Sequence, residues 1–418
     1  MQADGPKHLT ASQPSARIAV IASSFPVTSE TFVVDHVRAL ADDGFDVTVV
    51  AIEIDEAARR KLSLPTNVSL CGVPRWDNLH PVRRIKYLGS ALLWMARHPT
   101  LAARRYHWRR AISAARLKDV LGRLEPDLVH AHFGPNGVDA AIALCGTATP
   151  LLVNFHGYDV TTLPTRHGWR LYRSTLRSAT LVAHSDFVER RLRGAGLHRI
   201  ERVTMGVDRS KFRAPLRSPT WAAPLKLLSV GRLVPQKGHD VAIHALAILR
   251  RERPDLDPRL RILGEGPEAV SLRRISHDAG VAEFVIGPEP ADHARVAEAM
   301  AEADLVIAAS RTMQDGAQEG FCRVAVEAMA CGLPVVATPS GGLPDTVAGG
   351  GRVASTQDAS SLAHAILEIL EQGAPASWST AAQTVAARYD IQTMHDEYRN
   401  LTDRHLSPSV VSCARTHN

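Results

Sequence analysis

Residues 304–338 read DLVIAASRTMQDGAQEGFCRVAVEAMACGLPVVAT and hold the pattern that decides the fold. The runs from Asp304 to Ser310 and from Pro334 to Thr338 are short and apolar, which predicts two buried strands. Between them, the stretch from Gly320 to Ala330 has apolar residues at helical spacing. A strand, a helix and a second strand in this order form a βαβ unit, which indicates a parallel sheet covered by helices.

The same alternation continues on both sides of this unit. Further strands are expected at 17–24, 46–53, 127–133, 151–157, 180–185, 225–233, 260–264 and 284–287. Further helices are expected at 29–43, 239–251, 267–279 and 292–303. Ser29 is the expected cap of the first of these helices, and Gly44 its end. The pattern predicts the α/β class, with two Rossmann-like, doubly wound parallel-sheet domains facing a central crevice.

An interruption separates the two series of elements. Residues 206–224 contain Pro215, Pro219 and Pro224 and have no apolar stripe, which predicts a linker. The predicted parts are a flexible leader at 1–16, an N-terminal domain at 17–205, the linker at 206–224, a C-terminal domain at 225–384, a helix at 385–404 that packs back on the N-terminal domain, and a tail at 405–418.

The composition is that of a globular protein, with 45% hydrophobic and 22% charged residues. The first residues are polar, and no apolar run approaches the ~20 residues that a membrane-spanning helix needs. The five cysteines show no C-x-x-C spacing. These features predict a cytoplasmic protein with reduced thiols. Its net charge of +6 favours anionic partners without identifying one.

The candidate ligand site lies in the segment from Gln314 to Asp345. Glu319 and Glu327 are eight residues apart, about 12 Å if the stretch is helical. Two carboxylates at this separation suit the hydroxyl groups of a hexose and a ribose on either side of a diphosphate. The first N–H groups of the expected helix are then placed to bind the diphosphate. They belong to Gly320, Phe321 and Cys322.

A second constellation follows the strand expected at 225–233. Residues 231–238 read GRLVPQKG, and Arg232 and Lys237 supply two positive charges to a diphosphate. Such charges also stabilise a leaving nucleotide as negative charge develops on it. Two glycines are further candidates for donor binding: Gly231, and Gly264 at the start of a G-E-G-P turn.

Five motifs follow one another along the chain: the G-R-L-x-x-x-K-G run, the G-E-G-P turn, the E-x7-E stretch, EAMACGLPVVAT and GGLPD. In this order they resemble the motifs of the retaining glycosyltransferases of family 4, which have the GT-B fold. The resemblance covers roughly residues 17–400 and is densest in 225–350. It implies transfer of a hexosyl unit from a UDP- or GDP-sugar to a hydroxyl of a glycan, a lipid-linked oligosaccharide or a small glycoside. It also implies a retained anomeric configuration, with no metal and no cofactor.

The resemblance assigns roles to matching positions. Glu327 would bind the donor ribose, and Glu319 the hydroxyls of the transferred sugar. Arg232 and Lys237 would hold the diphosphate. His156, in the run NFHGYD at 154–159, would reach the donor sugar from the N-terminal domain. Glu319, His156, Arg232 and Lys237 are therefore the candidate catalytic residues.

The loop after the first strand departs from the glycine-rich loop of many relatives. It reads SSFPVTSETF at 23–32, which resembles the subset that builds exopolysaccharide and related surface glycans. Phe25, Ser29 and Glu30 in this loop are the candidates for the acceptor side. Three further departures leave the identity of the donor sugar open: Ala317, Cys322 and Arg323.

Residues 75–118 hold eleven Lys or Arg residues and a single acidic one, Asp77. Interleaved with them are the aromatic residues Trp76, Trp94, Tyr106 and Trp108. A basic, aromatic surface predicts peripheral contact with anionic lipid at the inner face of the plasma membrane. The alternative is an ordinary solvated helix face. Nucleic acid is not expected as a partner, because no nucleic-acid-binding motif is present.

Some features have a structural explanation as well as a functional one. His130 and His132 alternate on a strand and share one face, where packing is favoured over metal binding because no further ligands are suitably spaced. Cys322 is interpreted as a small residue, in preference to a reactive thiol. Three rival functions stay open: a nucleotide-sugar epimerase, a glycosyltransferase of secondary-metabolite biosynthesis, and a non-catalytic nucleotide-sugar-binding protein.

Overall fold

The computed structural model describes residues 15–27, 30–60, 62–102, 105–212 and 220–406 of the 418-residue chain. Most of the predicted leader and tail, and residues 213–219 of the predicted linker, lie outside the described residues. So does Ser29, which was predicted as a helix cap and as an acceptor-side residue. The first helix begins at Thr31, with Glu30 in the N-cap position.

The described chain alternates strands and helices through most of its length. The strands are β1 (Arg17–Phe25), β2 (Asp46–Ile54), β3 (Val68–Gly72), β4 (Leu128–His132), β5 (Leu151–Phe155), β6 (Thr180–Ala183), β7 (Ile200–Arg202), β8 (Lys226–Val230), β9 (Arg259–Leu263), β10 (Val285–Glu289), β11 (Leu305–Ala308), β12 (Val335–Ala337) and β13 (Gly351–Val353). The helices are α1 (Thr31–Asp42), α2 (Glu56–Arg60), α3 (Pro81–Arg97), α4 (Pro99–Ala102), α5 (Arg105–Leu124), α6 (Gly134–Ala143), α7 (Thr162–His167), α8 (Arg170–Thr175), α9 (Asp186–Gly194), α10 (His239–Glu252), α11 (Ala269–Asp278), α12 (His293–Glu302), α13 (Arg323–Ala330), α14 (Leu343–Val347), α15 (Ala359–Gln372), α16 (Pro375–Ala386) and α17 (Ile391–His405).

The strands form two sheets, which confirms the predicted α/β class with two Rossmann-like parallel sheets. The first sheet has the order β3-β2-β1-β4-β5-β6-β7 and the second the order β10-β9-β8-β11-β12-β13. In the first, β1 lies parallel to β2 and β4. In the second, every neighbouring pair is parallel. Parallel strands need helical crossovers, which explains why the sheet strands are buried and rich in valine, leucine and isoleucine.

The core of the second sheet lies on both of its faces. One face packs β8 and β9 against α10 and α15 through a cluster that includes Leu227, Leu246 and Ile366. The other face packs against α13 and α16 through a cluster that includes Val306, Met329 and Ala382. Burial of these side chains holds the helices on both faces of the sheet, and the loops between strands and helices carry the candidate site.

The chain divides into two compact units, one formed by Met1–Val153 with Tyr398–Asn418 and the other by Asn154–Glu397. The predicted domain boundaries stay predictions. The four described cysteines, Cys71, Cys145, Cys322 and Cys331, are unbridged. No helix in the described part of the chain is both long enough and apolar enough to cross a bilayer.

The C-terminal helix begins later than the predicted residue 385. The backbone of Asp390 is extended and forms a parallel bridge with Val207, so the chain breaks between α16 and α17. The N–H of Ile391 donates to the Val207 carbonyl (3.2 Å) at this break. Farther along α17, the ring of Tyr398 stacks on His36 at a centroid distance of 3.8 Å.

Candidate functional site

The second sheet reverses its direction of growth between β8 and β11. The chain continues from β8 to β9 and β10 on one side, and from β11 to β12 and β13 on the other. Loops that leave the carboxyl ends of such adjacent strands diverge and open a crevice, where ligands of this fold class bind. Gly231 follows β8 here, and Ser310 lies two residues beyond the end of β11. The candidate site is built around this point.

Glu319 and Lys237 meet at this crevice. The Lys237 Nζ donates to Glu319 Oε2 at 2.7 Å, and the Ser310 hydroxyl donates to the same oxygen at 3.0 Å. The side chains of Glu319 and Lys237 are only 11% and 21% exposed. The structure therefore brings together two of the predicted catalytic residues, which are 82 positions apart in the sequence.

The charge on Lys237 depends on this partner. Burial lowers the pKa of Lys237, but the negative charge of Glu319 and its hydrogen bond more than offset that effect, so the pKa lies above its ordinary value. Lys237 is therefore an ammonium at neutral pH. A buried cation of this kind can exchange a carboxylate partner for a phosphate without losing its charge compensation.

The helix predicted from Gly320 begins three residues later. α13 starts at Arg323 with Cys322 in the N-cap position, and Gly320 and Phe321 lie in the preceding loop. The spacing of Glu319 and Glu327 is thus not a helical one, and the estimate of about 12 Å does not apply. The positive end of the helix dipole lies at the junction of Cys322 and Arg323.

Glu327 lies on α13 and is 5% exposed. Its Oε1 is 4.0 Å from the Nε of Arg323, one turn earlier on the same helix. Such i, i+4 pairs fall on one helix face. Arg323, which departs from the family pattern, thus lies beside the carboxylate that the resemblance assigns to the donor ribose.

Cys322 is buried, and its thiol is not activated. Burial, followed by the charge of Glu319, raises the pKa of Cys322 to about 12. A thiol with so high a pKa stays protonated at neutral pH and is a poor nucleophile. Cys322 therefore acts as a small residue in the core, next to Ala325 and Val326.

His156 follows β5 and is held by its neighbours. The Asp159 carboxylate accepts from the N–H groups of His156 (3.1 Å) and Gly157 (2.9 Å). The His156 ring stacks on His184 at a centroid distance of 4.7 Å. Burial lowers the pKa of His184 to about 4, so this stacking partner is neutral.

The loop that carries Glu319 and Gly320 is fixed at several points. The Ser185 hydroxyl, which also caps α9, donates to the Gly320 carbonyl at 2.7 Å. The Gly342 N–H donates to the Glu319 carbonyl at 2.8 Å. A Cβ atom added to Gly320 would lie 1.9 Å from the His156 carbonyl oxygen. Only glycine permits this approach of the two backbones.

Gly320→Ala should therefore lower the free energy of unfolding by about 1–3 kcal/mol, the usual cost of overpacking. Backbone atoms of His156 and Gly157 border the added methyl group, and they cannot rotate away as a side chain can. The measurement is urea unfolding. Gly122→Ala on α5 is the control, since its Cβ would meet nothing within 4 Å. Equal stability of the wild-type protein and Gly320→Ala would contradict the close approach.

The remaining donor-side candidates border the same loops. Arg232 is exposed two residues after the end of β8. Gly231 and Gly264 have positive φ angles of 155° and 151°, and a Cβ on Gly264 would lie 1.9 Å from the Gly231 carbonyl oxygen. The structure thus brings Gly231, Gly264 and Lys237 to one end of the second sheet. Their contacts with a donor stay predictions.

The acceptor-side candidates are placed differently from one another. Phe25 is the last residue of β1 and is 1% exposed, so its ring is part of the core. Glu30 is partly buried in the N-cap position of α1. The role of this loop in acceptor binding stays a prediction.

The paired histidines of β4 are packing residues. His132 Nε2 lies 2.9 Å from His36 Nδ1, and His130 Nε2 lies 3.4 Å from the Thr402 hydroxyl. All three histidines are fully buried. Among the described residues, no group of three or more His, Cys, Asp or Glu side chains is placed to hold a metal ion.

Sequence reasoning missed Ser310 and Ser185. Ser310 could have been suggested by its position as the last residue of a predicted strand, at the edge of the sheet where ligands bind. Ser185 precedes Asp186 and a helical pattern, which is a recognisable N-cap signal. Its bond to the Gly320 carbonyl, across 135 residues, had no signal in the sequence.

Two family models match the chain. Residues 217–385 match the model described as "Glycosyl transferases group 1". Residues 29–211 match the model described as "Glycosyltransferase Family 4". The second sheet and the site around Glu319 fall in the first match, and His156 falls in the second.

Curated relatives cover most of the chain. WcaL of Escherichia coli strain K12, which is named as a glycosyltransferase of colanic acid biosynthesis, is 32% identical over 77% of this chain and 82% of its own. AmsK of Erwinia amylovora, named as an amylovoran biosynthesis glycosyltransferase, is 28% identical over 91% of this chain and 96% of its own.

Among solved structures, Alr3699/HepE of Anabaena in complex with UDP has a TM-score of 0.70 and 19% identity. The match covers 93% of this chain and 100% of that one. The same Anabaena protein has also been solved in complex with UDP-glucose. At this identity the likeness shows a shared fold.

Proposed function

Because the chain belongs to family 4 of the glycosyltransferases, we propose that it transfers a hexosyl unit from a nucleoside diphosphate sugar to a hydroxyl group. The acceptor is a glycan, a lipid-linked oligosaccharide or a small glycoside. The anomeric configuration is retained, and neither a metal ion nor a cofactor takes part. UDP- and GDP-sugars are the proposed donors.

The observation that carries this proposal is the cluster of Lys237, Glu319 and Ser310 at the switch point of the second sheet. It holds one cation and one hydroxyl group, each within hydrogen-bond distance of the same carboxylate oxygen. A nucleotide sugar presents the complementary set, because its diphosphate is anionic and its hexose carries hydroxyl donors. Donor binding would give Lys237 a phosphate partner and Glu319 a hydroxyl partner.

The other donor contacts follow from position. Arg232, exposed after β8, supplies a second positive charge to the diphosphate. As the bond between sugar and phosphate breaks, negative charge grows on the leaving nucleotide, and fixed cations stabilise it. Glu327 on α13 accepts from the ribose hydroxyls, and His156 contacts the transferred sugar.

Retention follows from the direction of attack that we propose. The acceptor hydroxyl approaches on the face that the leaving phosphate vacates, and a phosphate oxygen takes the acceptor proton. The new glycosidic bond then forms on the side where the old one broke. Lys237 and Arg232 would keep the leaving phosphate in place during this step.

The names of the relatives favour polysaccharide biosynthesis as the pathway. WcaL and AmsK are named for colanic acid and amylovoran, which favours a growing surface glycan as the acceptor. We propose that the reaction takes place in the cytoplasm, at the inner face of the plasma membrane.

A donor panel tests the proposal. The purified protein is mixed with UDP-, GDP-, ADP- and dTDP-sugars, and its thermal unfolding and the slow release of free nucleotide are followed. A donor at a hundredfold excess over its Kd should stabilise the protein by about 2.7 kcal/mol. The sugars of one nucleotide should stabilise it more than those of the other three. Lys237→Ala should lose this stabilisation. Lys226→Ala, at the opposite end of β8, should keep it.

Each other outcome has a definite meaning. A folded protein that responds to no nucleotide sugar would contradict the donor site. Conversion of the donor sugar to its epimer without an acceptor would identify the protein as an epimerase. Equal stabilisation of the wild-type protein and Lys237→Ala would remove Lys237 from the diphosphate site.

A further inference from the structure

Helix α3 (Pro81–Arg97) exposes an unusual number of large apolar side chains. Of the nine large apolar residues that are exposed in the described part of the chain, five lie on this helix, each between 45% and 70% exposed. They are Val82, Ile85, Leu88, Leu92 and Leu93. Contiguous exposed apolar surface of this kind is typical of interaction sites.

These five side chains share one face of the helix. At 100° per residue they fall within an arc of about 140°. The opposite face is already used, because Tyr87, Ala91 and Met95 are buried. Ala91 and Met95 pack in a cluster with Ala111 of α5. The outer arc is therefore a second apolar face with no role in that core.

Positive charge borders the outer arc. Lys86, Arg97 and Arg83 follow Leu93 around the helix, and α3 contains no acidic residue. Lys86 Nζ contacts both carboxylate oxygens of Asp119 at 2.9 Å, while Arg83 and Arg97 are exposed. An apolar arc beside a basic edge is typical of helices that lie in the interface of an anionic bilayer.

The structure changes the residues that the sequence assigned to this contact. Trp94 and Trp108 were predicted at the lipid surface, but both are partly buried against the cluster formed by Ala91, Met95 and Ala111. The exposed residues are aliphatic and all precede Trp94 in the sequence. The exposed apolar surface therefore belongs to one helix, and not to the basic segment 75–118 as a whole.

We propose that α3 inserts its outer apolar arc (Val82, Ile85, Leu88, Leu92 and Leu93) into the headgroup region of an anionic bilayer, with Arg83 and Arg97 at the lipid phosphates. This inference deepens the proposed function, since it names the surface through which a lipid-linked acceptor would be met. A second copy of this chain fits the surface less well. Two copies of α3 would place like charges together, whereas anionic headgroups neutralise them.

Vesicle co-sedimentation of the full chain, without a donor, tests the proposal. The vesicles are phosphatidylcholine with phosphatidylglycerol, or phosphatidylcholine alone. The wild-type protein should bind the anionic vesicles more strongly, and added salt should weaken this binding. The triple variant Ile85→Gln, Leu92→Gln, Leu93→Gln should lose at least about tenfold in partitioning.

The matched control removes three exposed apolar side chains elsewhere: Val270→Gln, Ile286→Gln and Val353→Gln. It should bind vesicles like the wild-type protein. All variants should keep the wild-type thermal response to a donor, which separates this inference from the donor site. Vesicle binding without any thermal response to a donor would support the inference for α3 and contradict the proposed function.

Two results would overturn the inference. The first is equal vesicle binding by the wild-type protein and the α3 triple variant, or no binding by either. The second is a wild-type dimer in sedimentation equilibrium that the α3 variant converts to a monomer, with no vesicle binding. That result would assign the arc to self-association.

Discussion

Replacing Glu319 with alanine should lower the rate of sugar transfer by at least about 100-fold, or roughly 2.7 kcal/mol in activation free energy. The carboxylate is 11% exposed and accepts from Lys237 and Ser310, so its loss removes the anionic partner of a buried ammonium. We propose that this carboxylate also positions the transferred sugar. The measurement is the initial rate with the donor that the panel selects.

Glu319→Gln separates charge from shape in this prediction. The amide keeps the size of the side chain but cannot balance the Lys237 charge, so transfer should fall nearly as far as in the alanine variant. Glu283→Gln is the control, because Glu283 is exposed and lies away from the loops around β8 and β11. Wild-type turnover in Glu319→Ala would contradict the proposal that Glu319 positions the transferred sugar.

The coupling between Lys237 and Glu319 can be measured by stability alone. Unfolding of Lys237→Met, Glu319→Gln and the double variant completes a double-mutant cycle. A coupling of about 1–3 kcal/mol is expected, since both side chains are largely buried. Additive effects would show that the pair contributes nothing to stability.

Acid should destabilise the protein strongly. Burial lowers the pKa of His130 to about 3, and those of His184 and His239 to about 4. Their pKa in the unfolded chain is about 6.5, so the unfolded state binds more protons below that pH. The stability these neutral histidines contribute is therefore present above about pH 6.5 and is lost as pH falls towards the folded pKa values.

The size of the effect follows from linkage. Between pH 8 and pH 5, each of these histidines should lower the free energy of unfolding by about 2 kcal/mol, or by about 6 kcal/mol together. Asp139 opposes them, because burial raises its pKa to about 6 and its folded form gains protons in the same range. Proton binding by Asp139 in the folded protein offsets about 1.4 kcal/mol of this loss in the free energy of unfolding. The net loss of roughly 4–5 kcal/mol is a large part of a usual folding free energy.

Urea unfolding at pH 8, 6.5 and 5 checks this prediction. His130→Gln removes one buried group and should flatten the pH dependence, whereas His277→Gln, at an exposed position, should not. A free energy of unfolding that stays constant from pH 8 to pH 5 would show that the buried histidines are not neutral in the folded protein.

The order of strands and helices was readable in the sequence because burial imposes it locally. The predicted strands at 17–24, 46–53 and 151–157 match β1, β2 and β5 to within two residues. Each contains a central run of apolar residues, as is typical of strands covered on both faces. Elements were misplaced where local patterns compete with tertiary bonds. α13 starts at Arg323 because Gly320 packs against the His156 backbone, and the chain breaks at Asp390 because of its bridge to Val207.

The residue types of the candidate site were predicted, but their partners were not. Glu319, Lys237 and His156 stood out by motif, yet no local pattern pairs Glu319 with Lys237 or adds Ser310 to them. The two loops that carry these residues meet only because β8 and β11 are neighbours in the second sheet. Adjacency of strands that are distant in sequence depends on how the whole sheet assembles.

The sequence by itself determined the class of fold, the family and the charged residues of the site, because periodicity and motif spacing are local properties of a chain. Only the tertiary structure decided which charges pair, where the Glu319 loop is pinned and which face of α3 stays exposed. Trp94 and Leu93 show the difference, since both are apolar neighbours on one helix. Packing against α5 partly buries the first and leaves the second 64% exposed. Burial depends on the opposing surface, and that surface comes from residues far along the chain.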